Sequence, residues 1–221
     1  MGPELILAGL EDKEAKRVIL SHDAFIGGWG ATTWAGTVLD PTGKGCWLAP
    51  TRGSAQTQRT GLRCHVVRIE MSGIIQLLGG NTTGFMRMPN VVELALVLDH
   101  QTNGAQCVGT DVFWQGTLPG VVNYDNAGRF TILKRQLFEF KDHYAVVYGD
   151  ASRLNICYYG GECHAFRWDI DCNIPLDFVA GAGTSTVADL CSNSIHVLGT
   201  ALNQASATVE CRMAGIFFFY G

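Results

Sequence analysis

Val91-Val-Glu-Leu-Ala-Leu-Val-Leu-Asp99 is the stretch on which the fold class turns. Its alternation puts Val92, Leu94, Leu96 and Leu98 on one face and Glu93 and Asp99 on the other, the two-residue period of a half-buried β-strand. His100-Gln-Thr-Asn-Gly104 follows, and Asn-Gly supplies the positive φ angles of a turn. After a second turn-rich stretch, Tyr124-Asp-Asn-Ala-Gly128, the segment Arg129–Phe140 carries Phe130, Ile132, Phe138 and Phe140 at one parity, and a bulge near Lys134-Arg135 is predicted where charges interrupt it. Farther out, His143–Tyr148, Ser194–Leu202 and Thr208–Tyr220 read as strands, the last buried on both faces near its end. Upstream, Gly36–Leu48 and Gly61–Leu78 each hold one; in the latter Cys64, Val66, Arg68 and Glu70 oppose His65, Val67, Ile69 and Met71. Seven or eight strands with connections as unequal as Ala105–Asn123 and Arg153–Thr186 predict an all-β chain, a single eight-stranded antiparallel jelly roll with long inter-strand loops. Residues 1–17 form a separate N-terminal segment, helical or an interface arm with an Asp12/Lys16 pair one turn apart, and 18–221 the jelly-roll domain.

Composition agrees. The 221 residues include 27 glycines, 11 Phe, 6 Tyr and 5 Trp, which suits strands joined by tight turns and excludes a helical bundle. Only 16% of residues are charged, against about 25% in a typical soluble domain, so much of the surface is expected to be covered by other chains. No apolar run approaches the roughly 18 residues of a membrane helix, and Glu4, Glu11, Asp12 and Glu14 do not fit a signal peptide, so no membrane insertion and a cytosolic or nuclear location are expected. The eight cysteines are accordingly read as reduced and mostly buried.

No arrangement for catalysis emerges. The six histidines form neither H-x-H nor H-E-x-x-H, and Cys157, Cys163, His164 and Cys172 lack zinc-site spacing. Gly181-Ala-Gly-Thr-Ser-Thr186 is not a nucleophile elbow, and Pro41-Thr-Gly-Lys-Gly45 is not a phosphate loop. The chain is therefore read as a non-enzyme with no cofactor. Charge is uneven: Lys44, Arg52, Arg59, Arg63 and Arg68 fall between Pro41 and Ile69 with no acid, +5 within a net charge of -4, leaving -9 elsewhere. Such arginines either touch phosphates or pair with carboxylates of neighbouring strands or subunits; the acidic whole favours pairing.

Four blocks in register carry a resemblance. Gln58-Arg-Thr-Gly-Leu-Arg63, Val66-Val-Arg-Ile-Glu-Met-Ser-Gly73, Val97-Leu-Asp-His-Gln-Thr-Asn-Gly-Ala105 and Asn126-Ala-Gly-Arg-Phe-Thr-Ile-Leu-Lys134 resemble successive blocks of the capsid proteins of circovirus-like viruses, which carry circular single-stranded DNA and encode a replication protein. The resemblance covers roughly residues 55 to 140. It implies a jelly roll that assembles as about sixty copies into a T=1 icosahedral shell of about 20 nm, with the chain itself as main partner, a virion location, passage through host cytoplasm or nucleus, and an unidentified attachment receptor.

The first 17 residues depart from that family's arginine-rich N-terminal arm, with Lys13, Lys16 and Arg17 against four acids, so either the arm is absent from this chain or the particle packages differently. Sixty subunits of -4 sum to about -240, so shells holding little DNA are expected. Arg59, Arg63, Lys134 and Arg135 are the candidate contacts for short single-stranded segments, and Asp169 with Asp171 is the candidate pair for calcium between subunits. The leading alternative is a trimeric jelly-roll receptor-binding module, tumour-necrosis-factor-like or fibre-head-like; a cupin-type enzyme comes third.

Overall fold

The fold was read from a computed structural model, which describes residues 15–26, 50–78, 87–102, 104–105, 107, 109–114, 120–144, 146–148, 155–157, 163–181, 187–202 and 208–221. Ten strands lie among them: β1 (Lys16–Ile26), β2 (Arg63–Leu78), β3 (Arg87–Asp99), β4 (Phe130–Tyr144), β5 (Val146–Tyr148), β6 (Asn155–Cys157), β7 (Cys163–Phe178), β8 (Leu190–Ser192), β9 (Ser194–Leu202) and β10 (Thr208–Tyr220). The only α-helical element described is one turn, Gly109–Val112.

One sheet runs β1-β10-β2-β7-β8, a second runs β4-β3-β9, and β5 pairs with β6 in a third. All ladders between these strands are antiparallel. The pairings nest: β1 with β10 encloses β2 with β7, which encloses β3 with β4. A chain folded as one long hairpin and then rolled gives this order, and β10 beside β2 and β3 beside β9 are the contacts that rolling adds. The all-β jelly roll expected from the sequence is the fold found.

The two main sheets enclose a continuous apolar layer. The first contributes Val66, Ile69, Met71, Phe166, Trp168, Leu176, Phe217 and Phe219; the second contributes Val92, Leu94, Leu96, Phe138, Ile195 and Val197. Aromatic edges interlock inside it, Phe138 against Phe166 at 5.8 Å and Phe166 against Trp168 at 5.2 Å between ring centroids. The Trp168 indole N–H donates to Gln136 Oε1 at 2.7 Å, tying β7 to β4 across the layer. At Gly73 an added Cβ would stand 2.6 Å from the Arg212 carbonyl oxygen and 2.6 Å from the Phe166 ring, so only glycine lets β10 and that ring close over β2.

Several expectations need correction. The register shifts between Val66 and Arg68, which moves the inward face from Cys64 and Val66 to Ile69 and Met71; neither uniform parity of that segment is the core face. The bulge expected near Lys134 is present, with Ile132 and Lys134 facing consecutive residues of β3. Its effect is larger than expected, because Phe130 and Ile132 pack in an outer cluster while Phe138 and Phe140 enter the main core. Arg153–Thr186 is not a long loop: it contains β6 and the 16-residue β7. β10 alternates buried Phe217 and Phe219 with half-buried Ile216 and Phe218, so it is not buried on both faces. Lys16 and Arg17 belong to β1 and not to a helix; the rest of that expected helix and the strand expected at Gly36–Leu48 lie outside the described residues.

Candidate functional site

Arg59, expected to reach nucleic acid, is a fold residue. It is 0% exposed. Its Nε donates to the Pro50 carbonyl at 3.1 Å, its Nη1 to the Gly61 carbonyl, and its guanidinium lies 3.7 Å from the centroid of the Phe178 ring. Backbone bonds from Arg59 N to Thr51 O (3.0 Å) and from Gly53 N to Arg59 O (2.9 Å) close the segment around it. Burial lowers its pKa from the ordinary arginine value. A planar cation stacked on an aromatic ring and capped by carbonyls organises residues 50–62 against the end of β7, and it does not present charge to a phosphate.

Arg63 and Arg68, on β2, follow the pairing expected of the basic stretch. Arg63 is exposed but forms an ion pair with Asp177 on β7, whose other oxygen accepts from Ser192 Oγ at 2.8 Å. The hydrogen bond from Arg63 holds the Asp177 carboxyl below the usual carboxylate range. Arg68 grips Asp169 with two bonds, Nε to Oδ1 at 2.8 Å and Nη2 to Oδ2 at 2.6 Å, and reaches Glu70 at 2.9 Å. That bidentate contact keeps the Asp169 carboxyl below its ordinary value. Asp169 and Asp171 share the exposed face of β7, and both Asp169 oxygens accept from Arg68, so a calcium ion at this pair would have to displace that guanidinium.

Lys134 and Arg135 lie on the other sheet. Lys134 is exposed, and the ion pairs of the described residues that involve the candidate cations are those of Arg63 and Arg135. Arg135 pairs with Glu93, which is 1% exposed, and lies 5.4 Å from the Phe113 ring centroid. The four residues therefore form no single basic surface: Arg59 is buried outside the sheets, Arg63 and Arg135 are neutralised by carboxylates, and Arg63 lies on a different sheet from Lys134 and Arg135.

The sequence reading placed Glu93 and Asp99 on a solvated face and missed the feature they build. β3 is buried on both sides. Its second side, Glu93, Ala95, Val97 and Asp99, lies beneath a cap made by described residues between His100 and Arg129, and Ala95, Val97, Cys107, Val112, Phe113 and Leu198 form a satellite core there. Asp99, 0% exposed, is held by Arg129 through Nε to Oδ1 at 2.9 Å and Nη2 to Oδ2 at 2.7 Å, and it accepts from Gln101 N at 3.0 Å. Glu93 accepts from Gly120 N at 2.8 Å as well as from Arg135. Two acids six residues apart on one strand face two arginines six residues apart on the next segment; that matched spacing was the available signal. The cap turns outward Trp114, Val121 and Tyr124, the last 77% exposed.

No group of three or more His, Cys, Asp or Glu that could hold a metal occurs among the described residues. Cys163 and Cys172 face opposite sides of β7, and His164 Nε2 lies 3.0 Å from the Glu139 carbonyl oxygen, so these members of the weighed zinc set do not converge. Cys64, Cys107, Cys163, Cys172, Cys191 and Cys211 are free thiols. Burial pushes Cys107 and Cys211 up to about 12, which keeps them protonated and inert at neutral pH. Alkylation of the native chain at pH 8 is therefore expected to modify exposed Cys163 and Cys191 well before Cys64, Cys107 or Cys211, as read by peptide mass spectrometry; labelling of Cys107 at the rate of Cys163 contradicts this burial.

No helix among the described residues is long and apolar enough to cross a membrane. No protein-family model matches the chain, and no curated protein matches it. Among solved structures it is similar to chains from the structures of infectious bursal disease virus strains Gx and Gt, with TM-scores of 0.17 and 0.15 and sequence identities of 8% and 10%. The likeness covers 95% of this chain in both cases but 40% and 42% of the viral chains, so this chain spans about two fifths of their length.

Proposed function

We propose that this chain is a structural capsid protein that assembles with copies of itself into a small closed shell. The observation that carries the reading is the rolled-hairpin strand order, β1-β10-β2-β7 against β4-β3-β9, in a chain with only 16% charged residues. A jelly roll supplies a rigid sandwich with broad sheet faces and protruding loops, and low charge favours extensive contacts between chains. The resemblance of the four sequence blocks to circovirus-like capsids supports a shell of about sixty copies with T=1 symmetry. Two blocks interlock in the fold: Asp99 of the third is clamped by Arg129 of the fourth, and Arg59 and Gly61 of the first close on one another.

Arg59 is buried and Arg63 and Arg135 are paired, which leaves little free positive charge among the candidates to neutralise DNA. The proposed particle is accordingly an empty or nearly empty shell, with a virion location and no enzymatic activity. Electron microscopy of the purified protein tests this: closed particles about 20 nm across with a protein-like ratio of absorbance at 260 and 280 nm are expected. Nucleic-acid-rich particles would overturn the empty-shell part, and a uniform trimer would replace the capsid reading with the receptor-binding module.

A further inference from the structure

β7 borders the first sheet for most of its length. β2 pairs with it from Cys163 to Asp177, but on its other side β8 meets only Asp177 and Phe178. Among the described residues, no other strand and no backbone hydrogen bond outside the β2 ladder reaches Cys163–Ile174. A strand edge offers every second N–H and C=O to a neighbour, and natural sheets blunt such edges with proline, bulges or charge. The far end of β7 carries two of these devices: Pro175 has no N–H, and the register against β2 shifts between Asp171 and Ile174. From Cys163 to Asp171 the pairing with β2 is regular and contains neither.

The side chains of that regular stretch separate cleanly. Cys163, Ala165, Arg167, Asp169 and Asp171 are exposed on the outer face, whereas Phe166 and Trp168 are buried and Ile170 is half-buried on the inner face. A second copy laid antiparallel beside it, with the same face outward, is related by a two-fold axis that passes through a residue and not between residues. The charges choose which residue. An axis at Arg167 sets arginine against arginine, one at Asp169 sets Asp169 against itself, and one at Ile170 sets Asp169 against Asp171. An axis at Phe166 opposes no charges. An axis at Trp168 sets Arg167 against Asp169 twice and Asp171 against Ala165 twice, with no like pair. Asp169 can serve Arg68 and a second arginine together, because each carboxylate oxygen has two acceptor positions. On the inner face this register brings Phe166 beside the half-buried Ile170 of the second copy. We propose that the β7 edges of two copies join antiparallel over Ala165–Asp171, about a two-fold axis at Trp168, into one continuous sheet. This contact rests on the reading that copies of the chain associate, and not on the closed shell.

Cysteine pairing in the full chain tests it. In a Cys163→Ser background, Ala165→Cys with Asp171→Cys puts two thiols opposite each other across the axis, where facing Cα atoms roughly 4.5–5.5 Å apart suit a disulfide. Within one chain the same two positions are about 20 Å apart along the strand, so this bond forms only between chains. Both side chains replaced are exposed, so neither cysteine opens the core. Mild oxidation is expected to give a dimer band on a non-reducing gel, on the order of tenfold stronger than from either single cysteine, with peptide mapping joining 165 to 171. Adding Arg167→Glu, which faces Asp169 of the second copy with a like charge, is expected to cut that yield about tenfold, and Arg167→Lys to keep most of it. Cross-linking no stronger than in the single-cysteine chains, joining chiefly of 171 to 171, or a yield indifferent to Arg167→Glu overturns the pairing. Closed particles without the 165–171 bond would remove this contact and leave the capsid reading; cross-linked pairs that grow no larger would keep the contact and remove the shell.

Discussion

Arg59→Ala is expected to lower the unfolding free energy by about 3–5 kcal/mol while leaving affinity for single-stranded DNA unchanged. Truncation strips the donors from the Pro50 and Gly61 carbonyls beside a 0% exposed side chain, and each unsatisfied buried acceptor costs roughly 1–3 kcal/mol. Loss of the cation over the Phe178 ring adds about 1 kcal/mol. Arg59→Lys should recover only part of this, because an ammonium cannot serve both carbonyls and stack flat on the ring. Urea unfolding measures the first quantity and fluorescence anisotropy with a labelled oligonucleotide the second. A variant of wild-type stability with weakened DNA binding would restore Arg59 to the surface role its residue type suggested.

Trp168→Ala is expected to cost a further-reaching 3–5 kcal/mol, on the order usual for deleting a buried Trp. Trp168 is among the largest fully buried side chains, it packs on Phe166 at 5.2 Å, and its removal leaves Gln136 Oε1 without the indole donor that joins the two sheets. Trp168→Phe should cost less, since it keeps most of the apolar volume and loses only the hydrogen bond. Thermal and urea unfolding of both variants check the order. Equal losses from Ala and Phe would mean that the cross-sheet hydrogen bond, and not the packing, dominates at this position.

Much of the fold was legible because the strands obey a two-residue period. β9 and β10 begin and end where the sequence placed them, at Ser194–Leu202 and Thr208–Tyr220. The core face of β3, Val92 to Leu98, was read correctly as well. β7 was hidden by its outer face: Arg167, Asp169, Asp171, Asn173 and Pro175 gave Arg153–Thr186 the look of a polar loop, although Phe166, Trp168, Ile174, Leu176 and Phe178 alternate with them. A bulge also scrambles period arguments, since one extra residue at Val67, against β10, or at Leu133, against β3, turns the side chains beyond it to the other face.

The site was less legible than the fold, for one physical reason. Residue type reports which partners a side chain can take, whereas burial decides which it has taken. Arg59, Arg135, Glu93 and Asp99 all carry charges that suit a surface, and each is satisfied inside the chain by a carbonyl, a carboxylate, an arginine or a cap N–H. For Glu93, Asp99 and Arg135 only a cap drawn over β3 makes the pairings buried, and a cap held by long-range contacts leaves no local period in the sequence. The bidentate grip of Arg68 on Asp169 is likewise a partner that the spacing of two acids along β7 does not reveal.

Sedimentation velocity of the purified chain tests self-assembly most directly. One sharp boundary near 1.4 MDa, about sixty chains of 23.9 kDa, is the expected result. A single species at 23.9 kDa, or at about 72 kDa for a trimer, that persists as concentration rises would contradict the capsid assignment.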